Sequence, residues 1–338
     1  MKRILAIVVL ASLLLVTVGC SSSSSPAPTS TAAPSANTSA SAPVAQLDWP
    51  KRDITFIIPF SAGGGTDLVG RAIADGMSRD LGVNVVVENK PGGGSLVGIH
   101  EAIAKPADGY TMCLVTDSLS TSPYASESGV TLDMYTPLAQ VTTAYPTISI
   151  DANLPYNTLQ EFIDAAKEQP GKFRIAMSGS RGVFEVFAQR FEDLAGIEMI
   201  HVPYDSGNEA SLAIAGGHIE CAIVSSNEII PLLETGNVKI LCIFAPQRDK
   251  LIPDVPTGKE AGIDYVDATV RGIILPKGVD QAVLDRLSVA LESAIAEQSF
   301  LDFLDSQGFN LTYLDQKGYI ETLQEKDAAY KAVYESWG

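Results

Sequence analysis

Residues 53–82 carry a β-rich apolar run (DITFIIPF), the loop Ser61-Ala-Gly-Gly-Gly-Thr66, and a helical segment. In that segment Leu68, Val69, Ala72, Ile73, Met77 and Leu81 recur every three to four residues before Gly82 at a C-cap position. A strand apolar along its whole length is buried on both faces, and one that hands directly to an amphipathic helix belongs in a parallel sheet covered by helices. The pattern continues with a strand at 83–88, a glycine turn at 91–94, a helix at 97–104 and a strand at 111–116. A second series begins after about Leu138. Helices are expected at 158–168, 183–195, 209–215 and near 228–235, and strands at 173–178, 198–202, 221–225 and 239–244. The tail is helical over 281–297 and 317–334, and no fixed-period repeat is present. The fold class is α/β, with two lobes and a helical tail. Such an architecture binds ligands outside the carboxyl ends of its parallel strands.

The loops at those strand ends are the candidate site. Pro59 to Asp67 joins a strand to a helix, so its backbone N–H groups can face an anion at the helix N-terminus, and three glycines permit close approach. Neither P-loop nor dinucleotide spacing is present, since Asp67 stands near where a P-loop lysine would be. Ser178-Gly-Ser-Arg-Gly182 adds hydroxyls and a guanidinium that can fork onto a carboxylate. Tyr204-Asp-Ser-Gly-Asn208 and Ser225-Ser226 end two further strands. Hydroxyl and amide donors without a dense basic cluster suit a small polar or anionic solute; each loop taken singly also reads as an ordinary turn.

A formal charge of −17 over 338 residues excludes a nucleic-acid partner and leaves any anionic ligand to local donors. Residues 1–19 read as an export signal, with Lys2 and Arg3 ahead of an apolar run. Cys20 follows Thr17-Val18-Gly19, which is close to a bacterial lipobox, so lipidation at Cys20 is expected. Residues 20–48 then form a Ser/Pro/Ala/Thr-rich tether. Cys113, Cys221 and Cys242 lie in apolar runs and read as buried free thiols, with a Cys221–Cys242 disulfide as the alternative. His100, His201 and His218 show no metal-ligand spacing, and no nucleophile elbow occurs. No catalytic residue, metal or cofactor is assigned, and binding is favoured over chemistry.

Beyond these patterns the chain resembles the solute-binding proteins of tripartite tricarboxylate transporters, the Bug family. The resemblance covers about residues 49–338. It rests on Trp49-Pro50, ITFIIPFSAGGGTD (54–67), VVVENKPGGG (85–94), Asp108-Gly-Tyr-Thr111, Pro170-Gly-Lys172, His201-Val-Pro-Tyr204, Gly216-Gly217, Asp254-Val-Pro-Thr257 and Glu260-Ala-Gly262. It implies a type II periplasmic-binding-protein-like fold with a cleft between two α/β lobes and two chain crossings. The lobes are expected at 49–139 plus 266–338 and at 140–265. It also implies that Phe60, Ser61, Ala62, Gly63, Gly64 and Asp67 hold a ligand carboxylate through backbone groups and water. The second-lobe loop Ser178, Gly179, Ser180, Arg181 and Gly182 corresponds to a family Ser-Gly-x-Gly-Ser/Thr. Here Arg181 replaces a glycine, Gly182 a hydroxyl residue and Glu185 a histidine, while Asp205-Ser206 stands where Lys-Gly is usual.

The site expected from residues and resemblance together comprises Phe60, Ser61, Ala62, Gly63, Gly64, Thr66, Asp67, Ser178, Ser180, Arg181, Tyr204, Asp205, Ser206 and Ser225. The expected function is capture of a small di- or tricarboxylate by hinge closure and its delivery to integral-membrane permease subunits. The protein would be a lipid-anchored monomer on the extracytoplasmic side of a bacterial cell membrane. A receptor for an amino acid or aromatic acid, an exported hydrolase and an adhesive surface lipoprotein are the alternatives.

Overall fold

The computed structural model describes residues 47–127 and 129–337. The signal, Cys20 and most of the tether expected from the sequence lie outside the described residues. The body starts with β1 (Ile54–Ile58), whose Phe56, Ile57 and Ile58 are fully buried, and α1 (Gly65–Leu81), which stops where Gly82 takes φ 70° and its N–H reaches Ser78 O. β2 (Val85–Asn89), α2 (Leu96–Ile103), β3 (Thr111–Val115) and α3 (Ser118–Ala125) follow, and β1 pairs in parallel with both β2 and β3. β4 (Tyr135–Ala144) leads to Tyr145, where the chain leaves this sheet and begins β5 (Pro146–Asp151) of another.

The second sheet is completed by α4 (Leu159–Glu168), β6 (Arg174–Ser178), α5 (Val183–Ala195), β7 (Ile200–Tyr204), α6 (Gly207–Ala215), β8 (Cys221–Ser225), α7 (Ser226–Ile229) and β9 (Val238–Ile243). The chain then returns through β10 (Thr269–Pro276), α8 (Gln281–Ala296), α9 (Gln298–Gln307), β11 (Asn310–Leu314) and α10 (Gln316–Trp337). The strand orders are β11-β4-β10-β3-β1-β2 and β7-β6-β8-β5-β9. Both sheets are mixed rather than wholly parallel: β4 and β10 pair antiparallel, and β5 runs against β8 and β9. The change of direction sits at the crossings: β5 and β10, the strands that enter from the other sheet, each lie between two neighbours that run the other way.

Each sheet is buried on both faces, as its apolar strands require. On one face of the first sheet Phe56 and Ile58 pack with Ile73, Met77, Leu287 and Leu291; on the other Ile57 packs with Ile99, Val115 and Tyr319. Phe162, Phe187, Phe191 and Phe244 fill one face of the second sheet, and Ala176, Ala210, Ile214 and Val224 the other. α1 and α8 touch closely at Gly76, where a Cβ would stand 2.5 Å from that of Ala294. α10 belongs to both halves, because its Tyr319 and Leu323 lie in a core of the first sheet and its Tyr330, Val333 and Tyr334 in a core of the second. Between them Lys326 Nζ meets Asp117 at 3.1 Å, Asp267 at 2.9 Å and Ala268 O at 2.7 Å, fastening the helix where the chain returns to the first sheet. The three described cysteines are free and buried, which removes the disulfide alternative, and burial pushes the Cys242 thiol up to about 12.

Candidate ligand-binding site

At the end of β1 the loop 59–64 climbs to α1, whose N-cap Gly64 has extended backbone and no side-chain cap. Ser61, Ala62 and Gly63 are exposed, and Phe60 and Gly64 half-buried, so the backbone is available to a ligand. Asp67, three residues past the cap, is buried and accepts hydrogen bonds from Gly63 N at 2.8 Å, Arg71 Nε at 3.0 Å and Asn89 Nδ2 at 2.8 Å. Asn89, at the end of β2, also donates to Phe60 O at 3.0 Å and accepts from Arg71 at 2.9 Å. Burial alone would raise the Asp67 carboxyl, but the bonds from Arg71, Gly63 and Asn89 outweigh it and hold the group below the usual carboxylate range. Asp67 therefore holds the loop from within, whereas the sequence placed it among the ligand contacts. Thr66 is buried too, its hydroxyl accepting from Arg271 Nε at 3.2 Å.

The loop after β6 has the same plan. Glu185, three residues past the α5 N-cap Gly182, accepts a hydrogen bond from Arg181 N, while Gly179 N donates to Tyr204 O at 2.8 Å. Gly179 at φ 75° and Arg181 at φ 51° make the turn that brings the chain back to α5. Glu185 is itself held by His201, whose Nδ1 lies 3.4 Å from Glu185 Oε1 and whose Nε2 lies 2.6 Å from Glu192 Oε1. Burial would push His201 down, but Glu185 and Glu192 outweigh it and raise the imidazole to about 9. The Arg181 guanidinium, expected in the cleft, instead lies over the rings of Tyr334 at 5.3 Å and Trp337 at 5.6 Å, with Tyr334 OH donating to Arg181 O.

Ser178 and Tyr204 are register partners at the ends of β6 and β7, so the second-sheet loops share one edge. Ser178 and Tyr204 are half-buried, and Ser180 and Asp205 exposed. The two remaining hydroxyls act in their own turns: Ser206 caps α6 by accepting from Glu209 N at 3.2 Å, and Ser225 shares a capping box with Glu228, whose carboxylate accepts from Ser225 N at 3.0 Å. Asn89, His201 and Arg271 were not singled out as site residues. An asparagine at the end of an apolar strand, beside an Asp-bearing loop, is the one signal of this kind that the sequence offers for Asn89. Among the described residues no group of three or more His, Cys, Asp or Glu side chains is placed to hold a metal ion.

An exposed backbone loop at the first helix and hydroxyl-bearing loops at the second sheet suit recognition of a small solute. The profile described as tripartite tricarboxylate transporter family receptor matches residues 69–338. The chain belongs to that family. This receptor is 30% identical over 299 residues to the UPF0065 protein in the gbd 5′ region of Cupriavidus necator, covering 87% of this chain and 90% of that one. A TctC solute-binding protein from Polaromonas is 33% identical, with a TM-score of 0.74 over 85% of this chain and 99% of its own. Two Rhodopseudomonas palustris proteins share the fold. One, solved with adipate, is 23% identical with a TM-score of 0.77, covering 85% of this chain and 98% of its own. The other, MatC with bound malate, is 24% identical with a TM-score of 0.73, covering 85% of this chain and 100% of its own. The receptor thus has the periplasmic-binding-protein fold, two α/β halves with two chain crossings, and is a solute-binding protein rather than an enzyme.

Proposed function

We propose that this extracytoplasmic receptor captures a small dicarboxylate between its two sheets and presents it to the permease subunits of a tripartite transporter. One carboxylate is held by the backbone of Phe60–Gly64, and the loops at Ser178–Gly182 and Tyr204–Ser206 close on the other side. The lobes are taken as 49–144 plus 266–338 and 146–265, hinged at the two crossings, the first lying at Tyr145 rather than at the expected 139/140 because β4 runs in the first sheet to Ala144, and ligand bridging them favours the closed form. The carrying observation is the first loop: an exposed run of backbone donors, fixed by Asp67 and Asn89, at the start of a 17-residue helix. Binding of adipate and malate by proteins of this fold supports the dicarboxylate class.

A thermal-shift panel tests this reading. At a hundredfold excess over Kd, at least one di- or tricarboxylate should stabilise the protein by about 2.7 kcal/mol. A hit from a sugar or nucleotide with all carboxylates silent overturns it; hits confined to amino acids or aromatic acids move the reading to those solutes. The proposal also includes a monomeric protein and an anchor at Cys20. Cys20→Ser should release the protein from the membrane fraction, and a variant that stays in the membrane pellet contradicts lipidation.

A further inference from the structure

β10 reads TVRGIILP, an apolar strand with one cation in it, and every residue of the strand is buried. A guanidinium carries five donors and stays charged, so burying it is unfavourable unless those donors are met. Arg271 is 9% exposed. Its Nε is met by Thr66 Oγ1, and the Phe309 ring covers its Cζ at 4.6 Å. Nη1 is buried with no partner, and among the described residues no carboxylate lies within ion-pair distance of the group. Gly65 leaves room for it: a Cβ there would stand 3.7 Å from Nη2 and 2.9 Å from the Phe309 ring.

The neighbourhood repeats the deficit. Thr142, the register partner of Arg271 on β4, has a buried hydroxyl with no partner. Ser226 Oγ and Asn227 Oδ1, on the second-sheet segment that begins α7, are buried and unpartnered as well. Ser226 N donates to Tyr145 O at the crossing, and Gly308, next to Phe309, lies against Asn227, so this segment adjoins the Arg271 region. The Arg271 charge also acts on Glu228 of the same segment. Native interiors leave few buried polar atoms unmet, and several around one cation at the junction of two sheets mark a place for a small anion with several lone pairs. A neutral hydroxyl compound would leave the guanidinium without an ion-pair partner, since the carboxylates that act on it, Glu228 and Asp117, stand beyond ion-pair distance, and a cation would be repelled.

We propose that Arg271 anchors the second carboxylate of the ligand at the hinge end of the cleft, with the hydroxyls of Thr66, Thr142 and Ser226 completing its hydrogen bonds. The inference rests on the receptor reading above and adds a selection rule: the first loop takes one carboxylate by its backbone, Arg271 takes the other by charge, and a mono-acid of equal length forgoes the second contact.

Calorimetric titration of succinate and adipate, with butyrate and hexanoate as mono-acid counterparts, tests it on wild type, Arg271→Gln and Arg271→Lys. Wild type should prefer a di-acid. Arg271→Gln should weaken that di-acid about ten- to a hundredfold, as loss of a charge-assisted bond of this kind does, and leave the mono-acid within about threefold. Arg271→Lys should recover part of the loss, keeping the charge without the planar fork. Di-acid affinity unchanged in Arg271→Gln, or no di-acid preference in wild type, overturns the inference alone. Binding of none of these acids or any other carboxylate to wild type overturns the receptor reading and this inference with it. Should Arg271→Gln fail to fold, a crystal structure of wild type with the preferred di-acid decides: a ligand carboxylate at hydrogen-bond distance from Nη1 supports the assignment, and a water or protein group there refutes it.

Discussion

The loops after β1 and β6 are built alike and held differently. In both, a carboxylate three residues past the helix cap reaches back to a loop N–H: Asp67 to Gly63, and Glu185 to Arg181. Asp67 is braced by an arginine and an asparagine, Arg71 and Asn89. Glu185 is braced by His201, an imidazole raised to about 9. The arginines differ in the same sense. Arg181 sits in the exposed loop and rests on two rings of α10, while Arg271 sits beneath the first loop, buried with a donor unmet. One topology thus yields a fixed loop edge at the first sheet and a pH-sensitive, partly self-satisfied one at the second. An arginine's place in a promising loop says less about its role than what its donors already touch.

The comparison predicts a graded set of effects. Asp67→Ala should be the most severe, leaving Gly63 N, Asn89 and Arg71 without their acceptor. We expect a loss of stability of about 2–4 kcal/mol, from hydrogen bonds to charge worth about 1.5–3 kcal/mol each, and carboxylate binding reduced beyond detection. Denaturant melts and calorimetry check both; a variant with near wild-type binding would show that the loop stands without its carboxylate.

His201→Gln comes next. The folded imidazole titrates near 9 against an ordinary 6.5, so its contribution is fully present below about 6.5 and disappears as pH rises through 9. At about 1.4 kcal/mol per pKa unit the contribution is on the order of 3 kcal/mol at pH 6. The variant should therefore be less stable than wild type at pH 6, with the gap closing towards pH 10. A gap that is constant with pH would remove the titrating brace from the account. Arg181→Ala should do least. Two ring contacts from an exposed guanidinium, at about 0.5–1 kcal/mol each, correspond to about 1–2 kcal/mol at most, and ligand affinity should move by less than about threefold. A tenfold loss would show that the guanidinium leaves the Tyr334 and Trp337 rings when ligand binds.

The βα units were legible because each joins an apolar strand to an amphipathic helix. α1, α5 and α8 fall where the three- to four-residue spacing puts them, and Gly82 and Gly196 end two helices at positive φ. The strands near the crossings were not. β4 carries Pro137, Gln140 and three threonines, and β10 carries Arg271, Gly272 and Pro276, so neither reads as a strand core, although both are almost wholly buried. Their antiparallel course also escaped a pattern that registers only βα alternation. The loops fall where the strand-to-helix junctions were read, but which side chains face outward depends on competition around each turn: Asp67, Ser206 and Ser225 are engaged with their own turns, and Thr66 with Arg271 of β10. Arg271 lay in a strand that was not anticipated, and its unmet donor shows only in three dimensions.

A single small di-acid bridging the two sheets would register in hydrogen–deuterium exchange on the full-length protein, measured with and without the di-acid that gives the largest thermal shift. Ligand-dependent protection is expected in residues 60–68 of the first half and also in 178–185 and 204–209 of the second, at one equivalent of bound acid. Protection confined to one half, with the loops of the other exchanging as in the free protein, would contradict it.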